Sequence, residues 1–274
     1  MTIVDDQLFP LTSLGGGLWT TEAGAEWRNP NGPLWGGYAI GLCLSVVAAE
    51  PEARGEPLAI TLTYVAGLSA GAVEVRTRRL RQGGSVGVWE VELRPAGATE
   101  VSVHAIVTMA RRPATPAFAF AKMPDAPEPE SLPSQVRPGG AQHFGSRAFE
   151  RRTSEAFPIQ PAASSRSTAW VRPLLGPWNK TLLAMLTDSS PPRAFYALGH
   201  TVMTTTVTLT IYLHATAEEV AAAGEDYLLV EYDGRVGGGG ATDERSSYWR
   251  RDGKLLATSE QLLWYREYQE SPPE

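Results

Sequence analysis

The chain has 274 residues, 43% of them hydrophobic, and its 24 Lys and Arg against 30 Asp and Glu give a net charge of −6. That size and apolar content suit two packed units with sizeable cores rather than a disordered or fibrous chain. The acidic balance offers nucleic acid no general attraction, because neutralising phosphates requires a basic surface.

In chain order, Met1-Thr-Ile-Val-Asp-Asp has neither the basic nor the apolar region of a secretory leader, and a lone Cys43 can form no internal disulfide. A cytoplasmic location is therefore expected. Asn31-Gly32-Pro33 is a turn and start signal, and residues 35–50 behind it predict one fully buried helix. Its most apolar part, residues 38–49, spans 12 positions, short of the roughly 20 needed to cross a bilayer, so no membrane partner is expected. Strands are predicted over 58–64, 73–81, 87–93 and 100–110, separated by turns at Gly83-Gly84 and Pro95-Ala96-Gly97. Residues 113–138 carry seven prolines among Asp and Glu and cannot hold a helix or a central strand. A second helix is predicted over 177–187, followed by strands over 204–213, 227–235, 241–250 and 254–266, with Asp252-Gly253 as a hairpin signal.

The order helix, then strand meander, occurs twice, and residues repeat with it. Trp27, Pro30 and Trp35 recur at the same spacing as Trp170, Pro173 and Trp178, and Ile60-Thr61-Leu62-Thr63 recurs as Val207-Thr208-Leu209-Thr210. The offset between copies grows from 143 to 147 and reaches 155 at the last strand, as loop insertions accumulate. One helix wrapped by an antiparallel sheet, twice, is an α+β chain of tandem hotdog pattern. The two sheets join edge to edge so that neither leaves that edge bare. The expected division is an N-terminal unit over 1–112, a linker over 113–160 and a C-terminal unit over 161–274.

Three places resemble the acyl-CoA thioesterase II family of double-hotdog enzymes. Leu34-Trp35-Gly36-Gly37 is similar to that family's aromatic-Gly-Gly helix opening. Arg79-Leu80-Arg81-Gln82-Gly83-Gly84-Ser85 is similar to its Arg-Leu-Arg-Asp-Gly-Arg-Ser hairpin, and the run from Asp252 to Gln261 to its final strand, which ends on a catalytic Gln. The resemblance implies hydrolysis of acyl-CoA with no cofactor, by a water held between an Asp, a Thr and that Gln. By position these fall on Asp188, Thr206 and Gln261. The family's second-copy strand usually has Thr-Ile-Asp-His where this chain has Thr206-Val207-Thr208-Leu209, which makes Thr208 a competitor for Thr206. A homodimer is also implied.

The residues themselves bear on these positions. An Asp at the end of an apolar helix meets the negative end of the dipole and, if desolvated, has a raised pKa suited to accepting a proton near neutrality. The offsets place Ser45 opposite Asp188, Ala59 opposite Thr206 and Ile106 opposite Gln261, each less polar than its counterpart, as expected if one half keeps the reactive groups. Gly36 and Gly37 begin the first helix, where free backbone N–H groups can face a developing oxyanion or simply allow close packing. Arg76, Arg78, Arg79 and Arg81, with Arg111-Arg112 and Arg151-Arg152, are basic enough for coenzyme A phosphates, although alternation lets only part of one strand face a ligand. Gly83-x-Ser85-x-Gly87, with Asp188 and His200, follows the order of an α/β-hydrolase triad, but the alternating residues after Ser85 predict a strand where an elbow needs a helix. Gly237 to Gly240 lacks the residues of a nucleotide loop, and His104, His143, His200 and His214 show no metal-ligand spacing, so no metal is expected. Two other readings stay open: an enoyl-CoA hydratase, which normally places Asp and His together on the helix, and a non-catalytic acyl or small-ligand binder.

Overall fold

The computed structural model describes residues 8–29, 32–135, 147–155 and 160–268. Pro30, Asn31, His143 and the first seven residues, all used above, lie outside the described residues. The strands are β1 (Thr12–Gly15), β2 (Leu18–Ala23), β3 (Glu56–Tyr64), β4 (Gly71–Gln82), β5 (Val86–Pro95), β6 (Val103–Ala110), β7 (Phe149–Arg152), β8 (Ser167–Pro173), β9 (Met203–Leu213), β10 (Leu228–Asp233), β11 (Gly237–Gly238), β12 (Ala241–Arg250) and β13 (Leu255–Arg266). The helices are α1 (Gly36–Ala49), α2 (Lys180–Leu186), α3 (Arg193–Leu198) and α4 (Ala217–Ala221).

These strands join one antiparallel sheet in the order β1-β2-β4-β5-β6-β3-β9-β13-β12-β10-β8-β7, with β11 paired to β12. Read from either end the order is the same for each half, and β3 against β9 is the joint. There Leu62 pairs with Leu209, its own counterpart in the repeat, so the local two-fold axis of the duplication passes through that pair. This is a double hotdog: α1 is buried from Gly37 to Val47 and packs against α2 and against strands β3 to β6, while α2 also meets β9.

Three expectations are corrected. Trp27 lies in a 3-10 turn (Ala25–Trp27) whereas Trp170 is in the middle of β8, whose counterpart by sheet position is β2, so these two tryptophans are not equivalent. Trp35 and Trp178 are equivalent: both are fully buried just before a helix, and Phe149 bridges them, edge-on to Trp35 at 6.2 Å and stacked on Trp178 at 5.7 Å. Phe149 belongs to β7, so the segment read as linker also supplies an edge strand. Its Glu150, Arg151 and Arg152 hide the strand pattern, although Glu150 is covered by Arg152 and Arg172 at 2.9 and 2.6 Å. Finally, α2 is shorter than the expected 177–187. The Asn179 side chain caps it by accepting from the Leu182 N–H at 2.8 Å, Thr187 turns its hydroxyl back to the Ala184 carbonyl at 2.7 Å, and Pro191-Pro192 bars continuation.

Candidate active site

Asp188 follows the last turn of α2, and the chain there is tied to the start of α1. The Trp35 indole N–H donates to the Asp188 carbonyl at 2.7 Å. The Asp188 carboxylate faces the first turn of α1, where the Gly37 N–H is directed at it, and Thr206 donates its hydroxyl to Oδ1 at 3.5 Å. Desolvation pushes the Asp188 pKa up to about 7; the Glu244 charge adds to the rise, and the donors from Gly37, Thr206 and Trp35 oppose it. That is the shift expected of a proton acceptor working near neutrality.

The pairing of β9 with β13 explains why Thr206, and not Thr208, faces Asp188. Leu262 pairs with Thr208 and Leu263 with Thr206, so Val207 is a bulge. Without it, alternation from the inward Leu209 would put Val207 inside and Thr206 outside. The extra residue returns Thr206 to the inner face and leaves Thr208 paired with Thr63 at the joint of the halves.

Gln261 is buried on β13 directly opposite Glu244 of β12. Its Nε2 donates to Glu244 Oε2 at 3.0 Å, while its Oε1 is buried without a partner. Asp188, Thr206 and Gln261 line one cavity of about 960 Å³, together with Gly36, Tyr64, Trp35, Phe149 and the residues 189–192. Gly36 is glycine for a steric reason. A Cβ there would stand 2.7 Å from Asp188 Oδ2 and 2.9 Å from the Tyr64 hydroxyl. The two glycines differ in place: Gly36 borders the cavity, whereas Gly37 lies under the Trp35 ring with its N–H on the side of Asp188, whose pKa it lowers.

The other half holds no such set among the described residues. Ser45 remains inside α1, buried and with its hydroxyl unpartnered. By pairing, the counterpart of Gln261 is Ala105, because Leu62 pairs with Ala105 as Leu209 pairs with Gln261; the expected Ile106 is one residue out of register and corresponds to Leu262. At the start of α2 the buried Lys180 donates to the Pro57 carbonyl at 2.9 Å and lies 3.3 Å from Glu56.

Glu244 escaped the sequence reading. Alternation along β12 puts Thr242, Glu244, Ser246 and Tyr248 inside, so a carboxylate at an inward strand position was the available signal. Burial pushes its pKa up to about 7, and it accepts from the Arg193 N–H, Ser190 and Gln261. Of the basic run, Arg78 pairs with Glu90 and Arg79 with Glu52 at the surface. Ser85 sits in the turn between β4 and β5, not at a strand-to-helix elbow. Among the described residues no three His, Cys, Asp or Glu side chains converge as metal ligands, and no helix is long and apolar enough to cross a membrane.

Comparison with known proteins decides the family. The profile of the acyl-CoA thioesterase N-terminal domain matches residues 24–110, and that of the acyl-CoA thioesterase C-terminal domain matches residues 121–265. The chain belongs to the acyl-CoA thioesterase family. This thioesterase is similar to a conserved hotdog-fold protein of unknown function from Alicyclobacillus acidocaldarius, at 26% identity and TM-score 0.89 over 98% of this chain and 100% of that one. Its fold is also that of an acyl-CoA thioesterase II from Mycobacterium marinum (17% identity, TM-score 0.75, 99% and 100% covered) and of the TesB protein of Mycobacterium avium subspecies paratuberculosis (18%, 0.77, 96% and 98%). No curated protein matches it.

Proposed function

We propose that this thioesterase cleaves acyl-CoA by direct attack of a water held between Asp188, Thr206 and Gln261, with no covalent intermediate. The observation that carries this reading is the buried, unpartnered Gln261 Oε1 in the same cavity as a desolvated carboxylate and a threonine hydroxyl. A water in that cavity donates to Asp188 and Gln261 and accepts from Thr206, whose hydroxyl turns its single proton from Asp188 to the water. As its oxygen bonds to the thioester carbon, Asp188 takes the proton and the carbonyl oxygen becomes an oxyanion, to which we assign the N–H of Gly36, a cavity residue at the positive end of α1, as donor. The carbon–sulfur bond then breaks, and the departing thiolate takes the proton from Asp188. Free acid and CoA leave with the base restored.

Thiol release from a panel of acyl-CoA esters tests the reading. The working form has Asp188 ionised, and its pKa is raised to about 7. So kcat/KM should rise from pH 5 to about 7 and level off above, with the inflection reporting the free enzyme. Acyl-CoA binding without thiol release across the panel would make the protein a binder. Loss of enoyl absorbance without thiol release would make it a hydratase.

A further inference from the structure

Glu244 costs the fold a buried carboxylate, and the cavity chemistry above does not call on it directly. Three donors converge on it: the Arg193 backbone N–H and the Ser190 hydroxyl, at 3.4 Å for the latter, and the Gln261 amide at 3.0 Å. The Arg193 guanidinium does not pair with it at contact. That side chain turns away to the Pro191 and Ser165 carbonyls and to Ser167, lies 4.0 Å over the Tyr196 ring and reaches Glu155 at 3.6 Å. The other charged group facing this pair is Asp188, whose own carboxylate Glu244 repels.

A primary amide can present either end to a site, and its two orientations are nearly equal in shape. An attacking water that gives one proton to Asp188 has a second to donate, so the amide must offer oxygen, not NH₂. An apolar neighbour on β12 would leave that choice open. A carboxylate directly across the strand pair closes it, because an ionised carboxylate only accepts and so can be met only by the NH₂ end.

We infer that Glu244 is a positioning residue for thioester hydrolysis, fixing the Gln261 amide so that its oxygen faces the attacking water. The inference rests on the hydrolytic reading given above and adds to it a residue that touches neither water nor substrate. Glu244 also holds the segment after Asp188 through Ser190 and Arg193, so a loop-anchoring role has to be separated from an amide-orienting one.

A double-mutant cycle does so. Glu244→Gln puts an amide against an amide and lets Gln261 flip, and kcat should fall by about 10–100-fold with KM changed by less than about twofold. In a Gln261→Ala background the same substitution should cost no further kcat, because the group through which Glu244 acts is gone. A full E244Q loss on top of Q261A, or an E244Q enzyme with unchanged kcat, overturns the inference. Should E244Q fail to fold, the wild-type protein still decides. Selective ¹⁵N labelling of glutamine amides, with Q261A identifying the resonance, should show one exchange-protected Gln261 side-chain proton, and a freely exchanging pair overturns the inference. Absence of thiol release by the wild-type enzyme would instead sink the hydrolytic reading itself, so the two failures are distinguishable.

Discussion

Asp188→Asn should lower kcat by about 10³-fold while making the protein more stable at pH 8. The first effect follows from removing the group proposed to take the proton of the attacking water. The second follows from linkage. Asp188 is raised from 3.8 to about 7 in the fold, so its contribution to stability is fully present below pH 4 and is lost as pH rises through 7. Asn carries no such loss. It keeps one acceptor oxygen for the donors around residue 188, so the net gain at pH 8 should be about 2–4 kcal/mol, or several degrees in melting temperature, narrowing toward pH 4. Thermal unfolding of the two proteins across that range, beside thiol release, checks both halves. Equal stability at pH 8 would mean that the wild-type carboxylate is well solvated.

Gly36→Ala should also be damaging, about tenfold less so, although it adds one methyl group to a helix. Alanine is the better helix former, by about 0.5–1 kcal/mol, so a loss cannot come from unwinding α1. The new Cβ would lie 2.7 Å from Asp188 Oδ2 and 2.9 Å from Tyr64 Oη, inside ordinary contact. The carboxylate must then swing away from Thr206. A displacement of this kind costs about 10²-fold in kcat, with little change in the unfolding midpoint. Full activity in the alanine variant would show that Asp188 has room the cavity does not reveal.

How much of this was legible in the sequence depends on the length scale of the signal. Strand alternation and turn residues located β12 at 241–250 as observed, and placed the ends of the other long strands and of α1 within a few residues. Asp188, Thr206 and Gln261 line one cavity, and their positions were legible because the family resemblance ties them to motifs, Asp188 just past the second helix and the other two on strands. Features set by contacts across the sheet were harder to read. The Val207 bulge decides between Thr206 and Thr208, yet bulges have no obligatory residue type. A one-residue slip put Ile106 where Ala105 belongs, since loop insertions leave no landmark between the Thr-x-Thr strand and the last one. Matching spacing of Trp27 and Trp170 was coincidence, visible only once one proved to lie in a turn and the other in a strand. Glu244 was missed for a different reason. Its inward position was implied by the strand itself, but its meaning depends on which residue sits across from it, and that is fixed by the β12–β13 register.

The central claim is that the oxygen delivered to the acyl group comes straight from water. Single-turnover hydrolysis with enzyme in excess in H₂¹⁸O tests this directly, by mass analysis of the free acid. Direct attack predicts that the acid formed in the first turnover carries one ¹⁸O. If Asp188 instead attacked as a nucleophile and formed a mixed anhydride opened at its own carbon, the first acid released would be unlabelled and the label would appear in residue 188, which would contradict the account.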